Sequence, residues 1–243
     1  MNGGVHVNQL ELFHEKDLDP YIVRKSTGLI REAKHSLSAK ELTLIDYLIS
    51  QVKQHDSELY EIEVSIKELN EICKFGSGGA AYSSTMEALL TLANKGFWFE
   101  MSNGTKTIGR WLDKAYVKNG IARLQLDKDL SPHLLGLVRS GNYTQFYFAD
   151  VVNLKSLFAK RLYEELRSYN DENTVELSVE RIKELFNKEN LEWSRVQAYL
   201  RKAKKNINEN TFMTIDYETV RKGRKTVSVR FHVTKKKGDL LEG

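Results

Sequence analysis

Residues 191–207 read Leu-Glu-Trp-Ser-Arg-Val-Gln-Ala-Tyr-Leu-Arg-Lys-Ala-Lys-Lys-Asn-Ile, and this stretch decides the fold. At about 100° per residue, Trp193, Val196, Leu200, Ala203 and Ile207 fall within an arc of about 90°, a single core stripe. Opposite them lie Ser194, Gln197, Ala198, Arg201 and Lys205, flanked by Arg195, Lys202 and Lys204. Two period-two segments follow. Met213, Ile215 and Tyr217 share a face of 212–217, and Val227, Val229, Phe231 and Val233 share a face of 226–233, which predicts a β-hairpin. Upstream, Leu154, Leu157, Phe158, Arg161, Leu162 and Leu166 trace a helix ending near Tyr169, and 174–177 is a short strand. Ser178 then caps a helix containing Val179, Ile182, Leu185 and Phe186. Helix, strand, helix, helix and hairpin is the order of a winged helix-turn-helix.

The same order stands in the first half. Ser38-Ala39-Lys40-Glu41 has the form of a capping box, and Leu42, Ile45, Leu48, Ile49 and Val52 mark one face of the helix it opens. A strand at 59–64 and a second capping box, Ser65-Ile66-Lys67-Glu68, lead to a helix reaching about Cys73. The glycine run Gly76-Ser77-Gly78-Gly79 is followed by Ala80-Ala81-Tyr82 rather than the Lys-Ser/Thr pair of a phosphate loop, so it reads as an inter-helix turn. A third helix follows, with Tyr82, Met86, Leu89, Leu90 and Ala93 expected inward. Strands at 97–101 and 105–112 flank Asn103-Gly104, and Asn119-Gly120 marks a second hairpin turn before the strand 121–126. A short helix at 132–138 and an aromatic strand at 143–148 bridge the two units. The predicted class is α+β: two tandem winged helix-turn-helix domains related by duplication. The expected divisions are an N-terminal arm at 1–17, a first domain at 18–150, a second at 151–237 and a tail at 238–243.

Composition narrows the function. A chain of 243 residues is long for one small domain at ~150 residues each. No run approaches the ~18 apolar residues of a membrane span, and no basic start followed by an apolar stretch marks a secretory signal, so a cytoplasmic protein without membrane association is expected. One cysteine, Cys73, excludes an internal disulfide and any multi-cysteine metal site. Charge is distributed unevenly. Residues 1–154 carry 17 Lys and Arg against 19 Asp and Glu, whereas 155–243 carry 20 against 14. Within 195–237, 13 basic residues face three acidic ones, a local net of +10 that points to a polyanion.

In a helix-turn-helix the second helix of the motif enters the major groove of duplex DNA. On the helix 191–207, Arg201 suits guanine, Gln197 suits adenine and Ser194 can pair with either, so these three are the expected base readers. Arg195, Lys202, Lys204 and Lys205 are expected on phosphates, which position the protein without reading sequence. The hairpin tip, Arg221-Lys222-Gly223-Arg224-Lys225, is where a winged helix sets its wing on backbone or minor groove, so Arg221, Lys222, Arg224 and Lys225 join the backbone set. Arg230, His232 and the run Lys235-Lys236-Lys237 extend the basic surface, although such a run near a terminus also suits a solvated tail. The bland alternative for the helix is a solvated basic face. In the first domain the outward residues Ser83, Ser84, Glu87, Thr91 and Asn94 include no cation; its basic residues Lys106, Arg110, Lys114, Lys118 and Arg123 lie in the hairpin region. That domain reads as an accessory DNA contact, a protein–protein module, or both.

No catalytic or metal residue is expected, and no cofactor. The six histidines are scattered without a His-x-His or His-x-x-x-His pair, and no Gly-x-Ser-x-Gly elbow occurs. A strand-nicking tyrosine enzyme would want such a metal pair. Asp113, Asp127 and Asp129 read as solvated loop carboxylates.

Three further stretches stand out: Tyr21-Ile22-Val23-Arg24-Lys25 with Gly28-Leu29-Ile30 and Leu37-Ser38-Ala39-Lys40-Glu41 near the N-terminus, and residues 157–164, Leu-Phe-Ala-Lys-Arg-Leu-Tyr-Glu, in the middle. The most specific is C-terminal: Ala203-Lys204-Lys205-Asn206-Ile207-Asn208, then Lys222-Gly223-Arg224-Lys225 and Val229-Arg230-Phe231-His232-Val233. In these stretches, in their order, the chain resembles the theta-type, iteron-binding plasmid replication initiators. The resemblance implies a second-domain helix as main reader of direct repeats and a first domain supporting dimerisation. It implies monomers on repeats, dimers repressing their own gene, and recruitment of the host initiator and replicative helicase without covalent chemistry. The alternative is a two-domain transcriptional repressor with no replication role.

Overall fold

The computed structural model describes residues 21–100, 105–169, 172–239 and 241; the expected arm at 1–17 and the Asn103-Gly104 turn lie outside them. Strand β1 (Ile22–Ser26) and helix α1 (Thr27–Arg31) come first. The first winged helix is α2 (Ala39–Ser50), β2 (Ile62–Ser65), α3 (Ile66–Ile72), α4 (Gly78–Ala93) and the hairpin β3 (Gly96–Glu100) to β4 (Lys106–Arg110). It closes with β5 (Leu112–Lys118) and β6 (Ile121–Leu126). Short helices α5 (Ser131–Leu134) and α6 (Leu137–Ser140), strand β7 (Tyr143–Tyr147) and helix α7 (Phe148–Asn153) form the joint. The second winged helix is α8 (Leu157–Arg167), β8 (Thr174–Ser178), α9 (Val179–Leu185), α10 (Trp193–Asn210), β9 (Met213–Lys222) and β10 (Lys225–Lys235). Among the described residues no helix is long and apolar enough to cross a membrane.

The two units are built by the same local chemistry. Serine hydroxyls cap the corresponding helices: Ser38 and Ser156 begin α2 and α8, and Ser65 and Ser178 begin α3 and α9. Each accepts an orphan backbone N–H, which a helix start must otherwise leave to water. The box at Ser38 is complete, with the Ser38 N–H donating to Glu41 Oε2 at 2.6 Å. At Ser65 only the hydroxyl half forms, because Ser65 also ends β2 opposite Ile121. Both α3 and α9 stop at a residue in the left-handed region, Lys74 and Asn187, each at φ 53°. Strand order repeats as well, β2-β6-β5 in one sheet and β8-β10-β9 in the other. Asn119 and Gly120, both at positive φ, make the first wing a two-residue turn of the I′ kind.

Two expectations about helix faces are corrected. On α4 the buried residues are Ala81, Thr85, Ala88, Leu89 and Leu92, while Tyr82 and Leu90 are 40% and 68% exposed. The Thr85 hydroxyl donates to Asn70 Oδ1 of α3 at 2.5 Å, and that buried polar pair turns α4 away from the face its largest side chains suggest. Helix α2 does not have one buried face: Glu41 through Ser50 are all buried. Helix α8 is buried just as fully from Phe158 to Arg167. The first helix of each winged helix packs on the other, and β1, α4 and α7 cover the rest of α2. One hydrophobic core therefore runs through both domains, from Leu44, Ile45 and Leu48 to Phe158, Leu162 and Tyr163.

A charged group sits inside that shared core. Lys25 Nζ lies 2.5 Å from Asp46 Oδ1 on α2 and 2.8 Å from Glu164 Oε2 on α8. Burial, reinforced by the Glu164 charge, raises the Asp46 pKa, and the Lys25 ammonium beside it opposes that rise. Burial pulls against the Lys25 charge, but the two carboxylates more than offset it and raise its pKa. Nearby, the Lys160 ammonium, drawn down to about 8 by burial, donates to the Val151 carbonyl.

Strand β1 pairs antiparallel with β7, from Ile22 opposite Tyr147 to Ser26 opposite Tyr143, which fastens the first described segment to the joint. The segment after β10 does not hang free. Asp239 forms a 2.5 Å ion pair with Arg167, and Leu241 packs with Ile22 and Tyr147.

Asp150 ties the joint to the second domain. It accepts the Tyr163 hydroxyl at 2.6 Å and the Phe212 N–H at 3.3 Å, and burial raises its pKa to about 7. A carboxyl raised in the folded state binds a proton on folding. Its contribution is therefore present below its ordinary pKa of ~4 and is lost as pH rises through about 7. Asp150→Asn keeps an acceptor for Tyr163 and removes the titration. Urea unfolding from pH 4 to 8 should show the wild type losing stability relative to this variant as pH rises; parallel curves would contradict the assignment.

Candidate nucleic-acid interface

Helix α10 places its core stripe as its periodicity requires. Val196, Leu200, Ala203 and Ile207 are buried and Trp193 is half-buried against the core. Of the expected base readers, Ser194 and Arg201 are exposed and Gln197 is half-buried. Helical geometry brings the three within an arc of about 60° on one face. Arg195 and Lys202 are exposed on one flank. Neither they nor Arg201 forms an ion pair among the described residues.

The opposite flank is the seam with the hairpin. Lys204 donates to Asp216 Oδ1 of β9 at 2.6 Å, and that contact lowers the Asp216 pKa. The pair is partly exposed, so Lys204 links the helix to the hairpin while its side chain still reaches the surface. One turn on, Asn208 treats β9 as a strand partner: its side-chain amide donates to the Ile215 carbonyl at 2.9 Å and its oxygen accepts the Ile215 N–H at 2.7 Å. Lys236 closes the helix end, donating to the carbonyls of Asn208 and Thr211, the latter at 2.7 Å. Cations that satisfy the last carbonyls of a helix are common. Lys205 is exposed and lies 3.8 Å from exposed Glu209, a pairing worth little in water.

The hairpin carries the other cations outward. Gly223, at φ 63°, is the first of the two turn residues between Lys222 and Lys225, where a II′ turn needs a glycine. Five residues of β9 beyond Tyr217 carry the tip about 17 Å past the helix seam. Arg221, Lys222, Arg224 and Lys225 are all exposed there, with no ion pair among the described residues. Arg230 is different. It bridges Glu176 of β8 at 3.0 Å and Glu218 of β9 at 2.9 Å, so it belongs to the sheet rather than to the free basic surface. The basic region thus sorts into two exposed groups, one on α10 and one on the wing, held in fixed relation by Lys204, Asn208, Arg230 and Lys236.

In the first domain the outward residues of α4 are exposed as expected and carry no cation; Arg110 and Lys118 of its hairpins are exposed without an ion pair among the described residues, and Arg123 is paired with Glu63 at 2.7 Å. What sequence reasoning missed is the seam: Asp216, Asn208 and Glu176 become informative only once β9 and β8 are known to flank α10 and β10.

Two family models cover this architecture. Residues 22–167 match the first winged-helix domain (WH1) of initiator replication proteins, and residues 178–233 match the second (WH2) of initiator Rep proteins. The chain belongs to the initiator replication protein family. Among solved structures, this initiator is similar to the Pi initiator protein, whose crystal structure is a complex with iteron DNA. The identity is 13%, with 90% of this chain and 99% of that chain covered and a TM-score of 0.74. Domains 2 and 3 of RctB are a second likeness, at 13% identity over 81% of this chain and 80% of that one, with a TM-score of 0.55. At these identities the likeness is one of fold: two winged helices in tandem.

The Asn208 clamp on the initiator's hairpin can be tested directly. Asn208→Ala removes both hydrogen bonds and leaves the Ile215 peptide groups without them, which should cost about 1–3 kcal/mol in urea unfolding. An unchanged midpoint would show that the side-chain amide is not what holds β9 to α10.

Proposed function

We propose that this initiator starts plasmid replication by binding the direct repeats of its origin as duplex DNA. In this reading α10 lies in the major groove, the wing lies on the backbone, and the chain carries out no covalent chemistry of its own. The observation that carries it is the sorting of charge in the second domain. Arg195, Arg201 and Lys202 on α10 and the four cations of the wing tip form no ion pair among the described residues, while Arg230 and Lys236 beside them serve the fold. A tip with four like charges is repulsive until an anion neutralises it. Family membership and the iteron complex of the Pi initiator support duplex repeats as that anion.

The first domain takes the accessory part. Leu90, Ile108 and Tyr116 are large apolar side chains of that domain, each more than half exposed. That supports self-association through the first domain, with dimers repressing the initiator's own gene and monomers occupying repeats. Host initiator and replicative helicase are the further partners of this reading, and the cytoplasm is its place.

Arg201→Ala and Lys222→Ala separate the two kinds of contact. On repeat-containing duplex, Arg201→Ala should lose ~1–3 kcal/mol of binding and relax preference at one base position. Lys222→Ala should weaken repeat and scrambled duplex alike and reduce the salt slope by about one. Identical behaviour of the two variants on both duplexes would overturn the assignment of roles.

A further inference from the structure

A cleft of about 940 Å³ opens between the two winged helices, and its chemistry is not that of the α10 face. One wall is the segment 33–36 with Gly96 and Trp98 of the first domain; the other is Arg161, Arg181, the α9–α10 turn and Arg195 of the second. At the base lies Arg161, only 9% exposed. Its Nη1 donates to the Glu184 carbonyl at 3.0 Å and to Asn187 Oδ1 at 2.5 Å, both uncharged acceptors, and it forms no ion pair among the described residues. Beside it, Arg181 is already held by Glu165 and Glu184, at 2.6 and 3.0 Å. Burial and the Arg181 charge draw the Arg161 guanidinium down to about 10. Burial, with Arg161 next, holds His35 well below its ordinary range, so the imidazole there is neutral. The charges of Glu164, Glu165 and Glu184 favour the Arg161 guanidinium from nearby, but none pairs with it directly among the described residues, so an anion in the cleft would supply the direct partner it lacks.

The rim adds three more cations, Lys34, Lys188 and Arg195, all exposed. The carboxylates lining the cleft are Glu184, engaged by Arg181, and exposed Glu189. The remaining wall is aromatic. Trp98 is 53% exposed, anchored by backbone hydrogen bonds to Lys34 in both directions at 2.9 Å. Arginines matched to phosphate oxygens, a flat indole and a volume in the range of small-ligand sites define one ligand class.

We propose that the cleft is a binding site for a free nucleotide, with its phosphates on Arg161 and the rim cations and its base stacked on Trp98. Both domains supply contacts, so occupancy would brace them together next to the first turn of α10. Arg195 is the one lining residue shared with the proposed DNA face of α10, so the test uses Trp98, Arg161, Lys34 and Lys188 and needs no repeat sequence.

Calorimetric titration of the full chain with ADP, with inorganic phosphate, and with a single-stranded oligonucleotide tests it. ADP should bind saturably and at least tenfold tighter than phosphate. Trp98→Ala, at an exposed position, should weaken ADP about tenfold while leaving phosphate unchanged. Arg161→Gln should abolish both; if that variant does not fold, the surface pair Lys34→Ala and Lys188→Ala should weaken both alike. The proposal is overturned if ADP gives no saturable heat, or if Trp98→Ala binds ADP as the wild type does. It is equally overturned if the oligonucleotide binds with affinity rising with length while ADP stays silent.

Discussion

Everything in this molecule hangs on the contact between α2 and α8. Each is the first helix of a winged helix, the element that in an isolated domain would keep a solvent side. Here both are buried all round, α2 chiefly by β1, α7 and α4 and α8 chiefly by α10, α9 and β7, and where they meet each covers part of the other. Apolar packing alone tolerates sliding between two such helices. Lys25 does not, because its ammonium meets a carboxylate from each domain, Asp46 and Glu164, in one place. A buried ionic group of this kind adds little net stability compared with apolar side chains of similar volume, but breaking it strands a charge. Its effect is therefore on orientation. With α2 and α8 fixed, the direction in which α10 and the wing leave the second domain is fixed relative to the first.

Charge is the second organising quantity, and its gross sum misleads. The net of +10 across residues 195–237 suggests a uniformly basic surface. The structure divides it. Lys204, Arg230 and Lys236 also hold helix to hairpin and strand to strand, and the cations without an ion pair among the described residues include those on the exposed side of α10 and at the wing tip. The engaged cations matter to the free ones, because in the proposed reading α10 and the wing address one duplex and their spacing must then be fixed. The interdomain cleft is a third cationic surface, distinguished from the other two by a buried arginine and an exposed indole.

Much of this was legible in the sequence because its causes are local. Serine caps, the Asn119-Gly120 turn, the glycine at the wing and the two periodicities each act within a few residues, and together they give the order of both winged helices. The core stripe of α10 followed from spacing alone, and with it the exposed positions of Ser194 and Arg201. What escaped depends on pairs far apart in the chain. The rotation of α4 is set by Thr85 against Asn70, the β1–β7 ladder joins residues more than a hundred apart, and Arg230 finds Glu176 only because β8 lies beside β10. The cleft belongs to neither half by itself, so no reading of one domain would find it.

In the proposed reading α10 and the wing direct this initiator to a particular duplex sequence. Fluorescence anisotropy of the full chain on the repeat-containing duplex that flanks its gene, and on a scrambled duplex of the same composition across a salt series, tests it most directly. The account predicts binding to the repeats at least ~10³-fold tighter than to the scrambled duplex, with a steep fall in affinity as salt rises. Equal affinity for both duplexes at every salt concentration would contradict it, leaving a basic surface and no reader.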